Sequence, residues 1–154
     1  MSTTQAGIYA RESPILDRYV QFGTAGEKVI QLSFPETPDG DADDEHALLD
    51  RIDVYLEGTE DDFSDVEVGL TVPTDHRSVL ESVREVPYGE QATVDQIARM
   101  AAGIDREDDE SRRTIREALA DNPAPLVIPD HRVRDGPSAA PPDVIQTLRS
   151  IEGL

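Results

Sequence analysis

The 154-residue sequence predicts an α+β fold, with a small strand-containing N-terminal domain (residues 1–73) and a mainly helical C-terminal domain (74–154) that carries a winged-helix-like helix-turn-helix. Three observations predict it. Apolar residues cluster at strand spacing up to Phe34, and from His46 onward they recur at helical spacing. Pro73 marks a break in composition as well: residues 1–73 hold seventeen acids and four bases, whereas residues 74–154 hold sixteen acids and ten bases.

The elements follow in order. Ile8 to Ala10, Tyr19 to Phe22 and Lys28 to Phe34 read as short strands punctuated by Gly23 and Gly26, most simply an antiparallel meander. Pro35 to Glu45, rich in Pro, Asp and Gly, buries too little apolar surface to order itself and reads as a mobile loop. His46 to Leu56 places Leu48, Leu49, Ile52 and Leu56 on one helical face and ends before Gly58. After the acidic, turn-rich stretch 59–67, Thr74 is expected to cap a helix running to Val86 with Val79, Leu80 and Val83 inward. Pro87, Tyr88 and Gly89 form a tight turn. Thr93 with Gln96 forms a capping box for a helix through Met100, closed near Gly103. A loop over 105–110 leads to Ser111, expected to cap a helix Arg112 to Ala120, and the two short helices form a helix-turn-helix variant. Asp143 to Glu152 is the last helix.

Composition narrows the class. There is no run of roughly 18 apolar residues, and Met1 to Tyr9 lacks the blocks of a signal peptide, so a cytoplasmic protein without membrane contact is expected. The chain has no cysteine, which excludes disulfides, thiolate metal sites and thiol chemistry. The net charge is −19, and thirteen of the fourteen basic residues are arginine, Lys28 being the lysine. Such acidity ordinarily argues against nucleic acid. The pattern also resembles that of proteins adapted to molar salt, as in halophilic archaea, where the Debye length is only about 3 Å and repulsion from DNA is screened. The C-terminal half, with ten of the bases, is where a DNA-facing surface belongs.

The segment from Asn122 through Pro123, Pro125 and Pro129 to Asp130, His131, Arg132 and Val133 carries the strongest motif. It resembles the active-site signature of the O6-alkylguanine-DNA alkyltransferases (methylated-DNA-protein-cysteine methyltransferases), which read Asn-Pro, an apolar run, then Pro-Cys-His-Arg-Val. Thr74 to Leu80, Val86 to Glu90 and Ile97-Ala98 fall at matching spacing, and Leu56-Glu57-Gly58 resembles the end of that family's first helix. Asp130 stands where the alkyl-accepting cysteine is expected, so the chain looks like a cysteine-less, alkyltransferase-like member.

The resemblance implies roles residue by residue. Arg113, nine residues before Asn122, matches an arginine that enters the DNA stack and supports extrusion of the damaged base, with Arg112 and Arg116 beside it as phosphate contacts and Arg132 in the same DNA-facing set. Taken alone, the three helix arginines better suit surface ion pairs with Glu110 and Glu117, and it is the aligned Asn122-Pro123 that favours the DNA role. Asn122 shapes the turn between recognition helix and active-site loop. Pro129, Asp130 and Ser138 outline the degenerate base pocket, and His131 with Glu152 remains as a relay whose thiol is gone. Asp130 is expected to be ionised already and to be a poor nucleophile. The family's phosphate-crowding tyrosine corresponds to Val94, and its glycine-rich pocket loop shrinks to Arg134 to Pro142.

His46 and His76 show no ligand spacing, the run Asp41 to Glu45 lacks the order of a calcium loop, and no metal or cofactor is expected. The reading that results is a monomeric, non-catalytic protein that binds double-stranded DNA at alkylated or distorted sites and passes the lesion to a repair-pathway partner. The alternatives are a pseudoenzyme scaffold without DNA contact and an active methyltransferase. The absent cysteine argues against the second.

Overall fold

The computed structural model describes residues 6–101 and 109–154, so Gly103 and most of the 105–110 loop lie outside the described residues. Strands β1 (Ala6–Ser13), β2 (Arg18–Ala25) and β3 (Lys28–Ser33) form the expected antiparallel meander in the order β1-β2-β3. Gly26 opens the β2–β3 turn at φ +64°, a value glycine adopts without strain. Opposite the Gly23/Thr24 step the register slips, because Gly23 pairs with Gln31 and Thr24 with Val29. Ile30 is thereby the extra, exposed residue, and Val29 and Leu32 both reach the core although three positions apart.

The 35–45 loop is more ordered than its composition suggests. The Asp43 backbone bonds both Ile8 and Ala10, covering the free edge of β1, and Arg11 donates to the Asp44 carbonyl. Backbone pairing and one arginine replace the missing apolar burial.

Helix α1 (Ala47–Leu56) starts at His46, whose Nδ1 accepts from Leu48 N at 3.0 Å, and it buries Leu48, Leu49, Ile52, Tyr55 and Leu56. Helix α2 spans Thr74–Val83, with Val79, Leu80 and Val83 buried. Two expectations about it change. Pro73 rather than Thr74 occupies the cap and its carbonyl accepts from Arg77 N; the helix also stops three residues before Val86, which is buried from a turn. Helix α3 (Val94–Met100) carries the full Thr93/Gln96 capping box. Helix α4 (Asp109–Ala120) begins two residues ahead of Ser111, so Ser111 lies inside it and caps nothing; Asp109 and Glu110 supply the acidic first turn that suits the positive helix end. A 3-10 turn covers Asp130–Arg132, and α5 (Pro142–Glu152) closes on Gly153 in the left-handed conformation.

Both halves of the sequence share one apolar core that runs from Leu16 and Phe22 through Tyr55 and Ile97 to Leu148. Leu32 N donates to the Pro123 carbonyl at 2.8 Å, which ties β3 to the motif segment. No helix among the described residues is long and apolar enough to cross a membrane.

Candidate functional site

After α4 the chain turns through Asn122, whose side chain is satisfied entirely within the motif. Its Oδ1 accepts from Ala124 N, and its Nδ2 donates to the Ile128 carbonyl at 3.0 Å and to Asp130 Oδ2 at 3.1 Å. Leu126 takes φ +82°, a costly conformation for a branched residue, worth ~1–3 kcal/mol of strain. Burial of Leu126, Val127 and Ile128 to 1 % exposure or less offsets it. The result is a rigid loop that delivers residues 130–132 into the interior.

Asp130 is 1 % exposed. Besides Asn122, it accepts from Ser138 Oγ at 2.6 Å and from Ala139 N at 3.0 Å, while Ala140 N donates to Ser138 Oγ and so turns that hydroxyl proton toward the carboxyl. Burial pushes the Asp130 carboxyl above its usual range, against the pull of these three donors toward the anion. The carboxyl expected from sequence to be ionised is thus opposed in that form by burial and supported in it by three donors.

The next two residues point the other way, into a second network centred on Glu152. Its side chain is fully buried and accepts five hydrogen bonds: Oε1 takes Arg132 Nε (2.8 Å) and Gly89 N (3.0 Å), and Oε2 takes Tyr55 OH (2.5 Å), His131 Nε2 (2.7 Å) and Arg132 Nη2 (3.1 Å). Burial alone would raise the Glu152 carboxyl, but His131, Arg132 and Tyr55 together hold it below the ordinary carboxylate range. Burial, and then the Glu152 charge, raise the Tyr55 phenol, which stays protonated as the donor. His131 Nδ1 is buried and has no partner among the described residues.

The structure thus brings His131 and Glu152 together as the motif implied. It corrects Arg132: expected on the DNA-facing side, it is 1 % exposed, paired with Glu152, bonded to the Val86 carbonyl and set 5.8 Å from the Tyr88 ring. Burying a guanidinium requires such a carboxylate, and α5 supplies it. Tyr55 was missed by the sequence reading. A tyrosine at the inward i, i+3 position from Ile52 needs a partner for its hydroxyl, and that was the available signal.

On α4, Arg113 and Arg116 are exposed and make no ion pair among the described residues, and with Glu117, Ala120 and Pro137 they line an open groove of about 510 Å³. Arg112 is committed otherwise, to Asp95 on α3 at 2.8 Å and to Asp109 at 3.0 Å. Val94 is a core residue at 1 % exposure, so its position offers nothing to a phosphate. Ser138 joins Asp130, whereas neither the α4 groove nor the neighbouring cavity walled by Asn122, Pro125 and Ala139 reaches Asp130 itself.

The family model described as the DNA-binding domain of 6-O-methylguanine DNA methyltransferase matches residues 75–138. A methylated-DNA-protein-cysteine methyltransferase of Metallosphaera sedula is 33% identical over 110 residues, which cover 70% of this chain and 66% of that protein, just short of two thirds of its length. Among solved structures, the Mycobacterium tuberculosis O6-methylguanine methyltransferase superposes with a TM-score of 0.73 at 21% identity, covering 97% of this chain and 92% of that one. A structure of Mycobacterium tuberculosis OGT in complex with DNA gives 0.65 at 23% identity over 82% of this chain and 77% of that one.

Proposed function

We propose that this chain is a non-catalytic member of the O6-methylguanine-DNA methyltransferase family that binds alkylated or distorted duplex DNA in a repair context. The observation that carries the reading is position 130. Alkyl transfer needs a nucleophile that reaches the alkyl carbon from a bound base, and a thiolate made by a neighbouring base is the family's solution. Asp130 is instead a buried carboxyl whose oxygens are held by Asn122, Ser138 and Ala139. A carboxylate is a weak nucleophile, and this one would have to break three hydrogen bonds to act. His131 has no thiol proton to take, and its Nε2 is bound to Glu152.

DNA contact falls to residues 74–154, with α3 and α4 as the two helices of the helix-turn-helix. Arg113 and Arg116 carry the free positive charge on the exposed face of α4. Arg113 stacks where the duplex is already loosened, and Arg116 meets phosphate; a planar guanidinium suits both tasks. That Mycobacterium tuberculosis OGT, a structural neighbour, has been solved in complex with DNA supports DNA as the partner. A scaffold that binds protein instead of DNA is the second reading, favoured by the charge of −19 and by the commitment of Arg112 to two acids.

Fluorescence anisotropy with matched duplexes, with and without O6-methylguanine, titrated from low to molar potassium chloride, separates the two. Binding that persists in salt with preference for the lesion is expected; absence of binding at every salt concentration would leave the scaffold. Recovery of a methylated side chain after incubation with labelled O6-methylguanine DNA would overturn the non-catalytic assignment.

A further inference from the structure

Residues 134–139 are fastened at five of their six positions. Arg134 N donates to the Ala92 carbonyl at 2.9 Å, and Asp135 Oδ1 accepts the first amide of α3, Val94 N, at 2.7 Å. Gly136 packs so closely on α4 that a Cβ there would lie 2.6 Å from Leu119 Cδ1. Ser138 Oγ and Ala139 N then close on Asp130. The polar groups nearest position 130, namely the Asn122 amide, the Ser138 hydroxyl and the Ala139 N–H, all point at the Asp130 carboxyl, and none is left to read the edge of a base. The groove on α4 ends at Pro137, outside this seal.

We propose that Asp130 anchors residues 134–139 as a closed strap over its own position, so that DNA lying on α4 is recognised by its loosened stacking and no base is drawn into the protein. This inference rests on the DNA-binding reading above. It follows from steric closure combined with the exposed Arg113: a guanidinium inserted between bases gains most where stacking is already weak, whatever chemical change weakened it, while a sealed interior leaves an alkyl group nothing to contact. An unalkylated mismatch should therefore serve as well as O6-methylguanine.

Two measurements on the full chain test it. Amide exchange should find Ala139 N–H protected in the wild type and about ten- to a hundredfold faster in Asp130→Ala, the factor expected for loss of a hydrogen bond to a carboxylate, with α4 and α5 amides unchanged. An Ala139 amide unprotected in the wild type, or equally protected in Asp130→Ala, overturns the strap. Should Asp130→Ala fail to fold, Asp130→Asn, which keeps one acceptor oxygen, replaces it. In anisotropy titrations, duplexes with O6-methylguanine and with a plain G·T mismatch should bind within about threefold of each other, both tighter than matched DNA, since discrimination below tenfold is under 1.4 kcal/mol. Preference for the alkylated duplex by tenfold or more overturns the proposal, as does equal binding of all three. No binding to any duplex refutes the DNA-binding reading itself, while the exchange measurement still decides whether the strap is closed.

Discussion

Replacing Glu152 by glutamine is the most informative stability test, because one atom changes at the point where five donors converge. The carboxylate is, among the described residues, the only anion hydrogen-bonded to Arg132, whose side chain is 1% exposed, and its Oε2 accepts from Tyr55, His131 and Arg132 at once. A glutamine keeps one acceptor but turns an NH2 toward other donors and leaves the guanidinium charge uncompensated. Breaking a buried pair from one side costs about 3–5 kcal/mol. For a chain of this length that corresponds to a fall of about 6–20 °C in Tm, a large part of a typical total stability of 5–15 kcal/mol. Urea and thermal unfolding followed by circular dichroism measure it, with the exposed Glu60→Gln as a control expected to stay within about 0.5 kcal/mol. The pH dependence adds a second readout. The folded state holds the Glu152 carboxyl below its ordinary value, so its contribution is fully present above the unfolded pKa of about 4.3 and is lost as pH falls through the lower folded one. Wild type should therefore lose stability below about pH 4.3 more steeply than Glu152→Gln. A variant within about 1 kcal/mol of wild type, with parallel acid limbs, would refute the idea that this network is closed in solution.

Asp130 titrates in the opposite sense: burial raises its folded value, so its contribution is complete below the unfolded pKa of about 3.9 and fades as pH rises through the folded one. Chemical unfolding of wild type and Asp130→Asn at several pH values should show wild type gaining relative to the variant as pH falls toward 4; a constant difference would refute this. Arg116→Ala should weaken DNA binding uniformly across sequences and lower the salt slope by about 1, whereas Arg112→Ala, already neutralised by Asp95 and Asp109, should lower it by clearly less; equal slopes in salt titrations would show that Arg112 leaves its acids for phosphate. Gly136→Ala should cost about 1–3 kcal/mol in urea unfolding, because its methyl meets Leu119 and Val133; a neutral result would mean that the strap stands further from α4.

Much of the fold was legible because it rests on local rules. The period-2 clusters gave the meander, and the i, i+3, i+4 leucines gave α1. The capping box placed the start of α3 to the residue. Helix ends decided by a neighbour were harder. Thr74 has a capping side chain, yet Pro73 before it already holds the extended geometry of the cap, and Val86 looks helical because it is buried, although from a turn. The site divided in the same way. The motif identified Asn122, Asp130, His131 and Glu152, and the structure joins them as two hydrogen-bonded sets. Arg132 was misassigned because an arginine in a motif expected to face DNA reads as a surface charge. Its partner lies twenty residues away, across a loop and a helix, at a separation no periodicity encodes. The lock on Asp130 was also hidden, since Ser138 and Ala139 reach it only because Gly136 lets the strap lie against α4.

On the proposed reading, the arrangement accounts for an aspartate at position 130 beside an otherwise intact site. Residues 130 and 131 are adjacent, but the 3-10 turn aims them into separate networks: Asp130 toward Asn122 and the strap, His131 toward Glu152. A change at 130 therefore alters the side facing the strap and leaves the Glu152 network in place. That network also binds elements far apart in sequence, since Tyr55 comes from α1, Gly89 from the turn after α2, and Glu152 from α5. Removing Glu152 or Arg132 leaves the other's charge uncompensated in the interior, a penalty paid in folding whether or not a reaction takes place. Stability alone is enough to hold His131, Arg132 and Glu152 in place with or without alkyl transfer, so their presence in a chain does not argue for that reaction. Position 130 is where the distinction would lie, since a reactive side chain must be reachable from outside and Asp130 is buried against Asn122 and the strap.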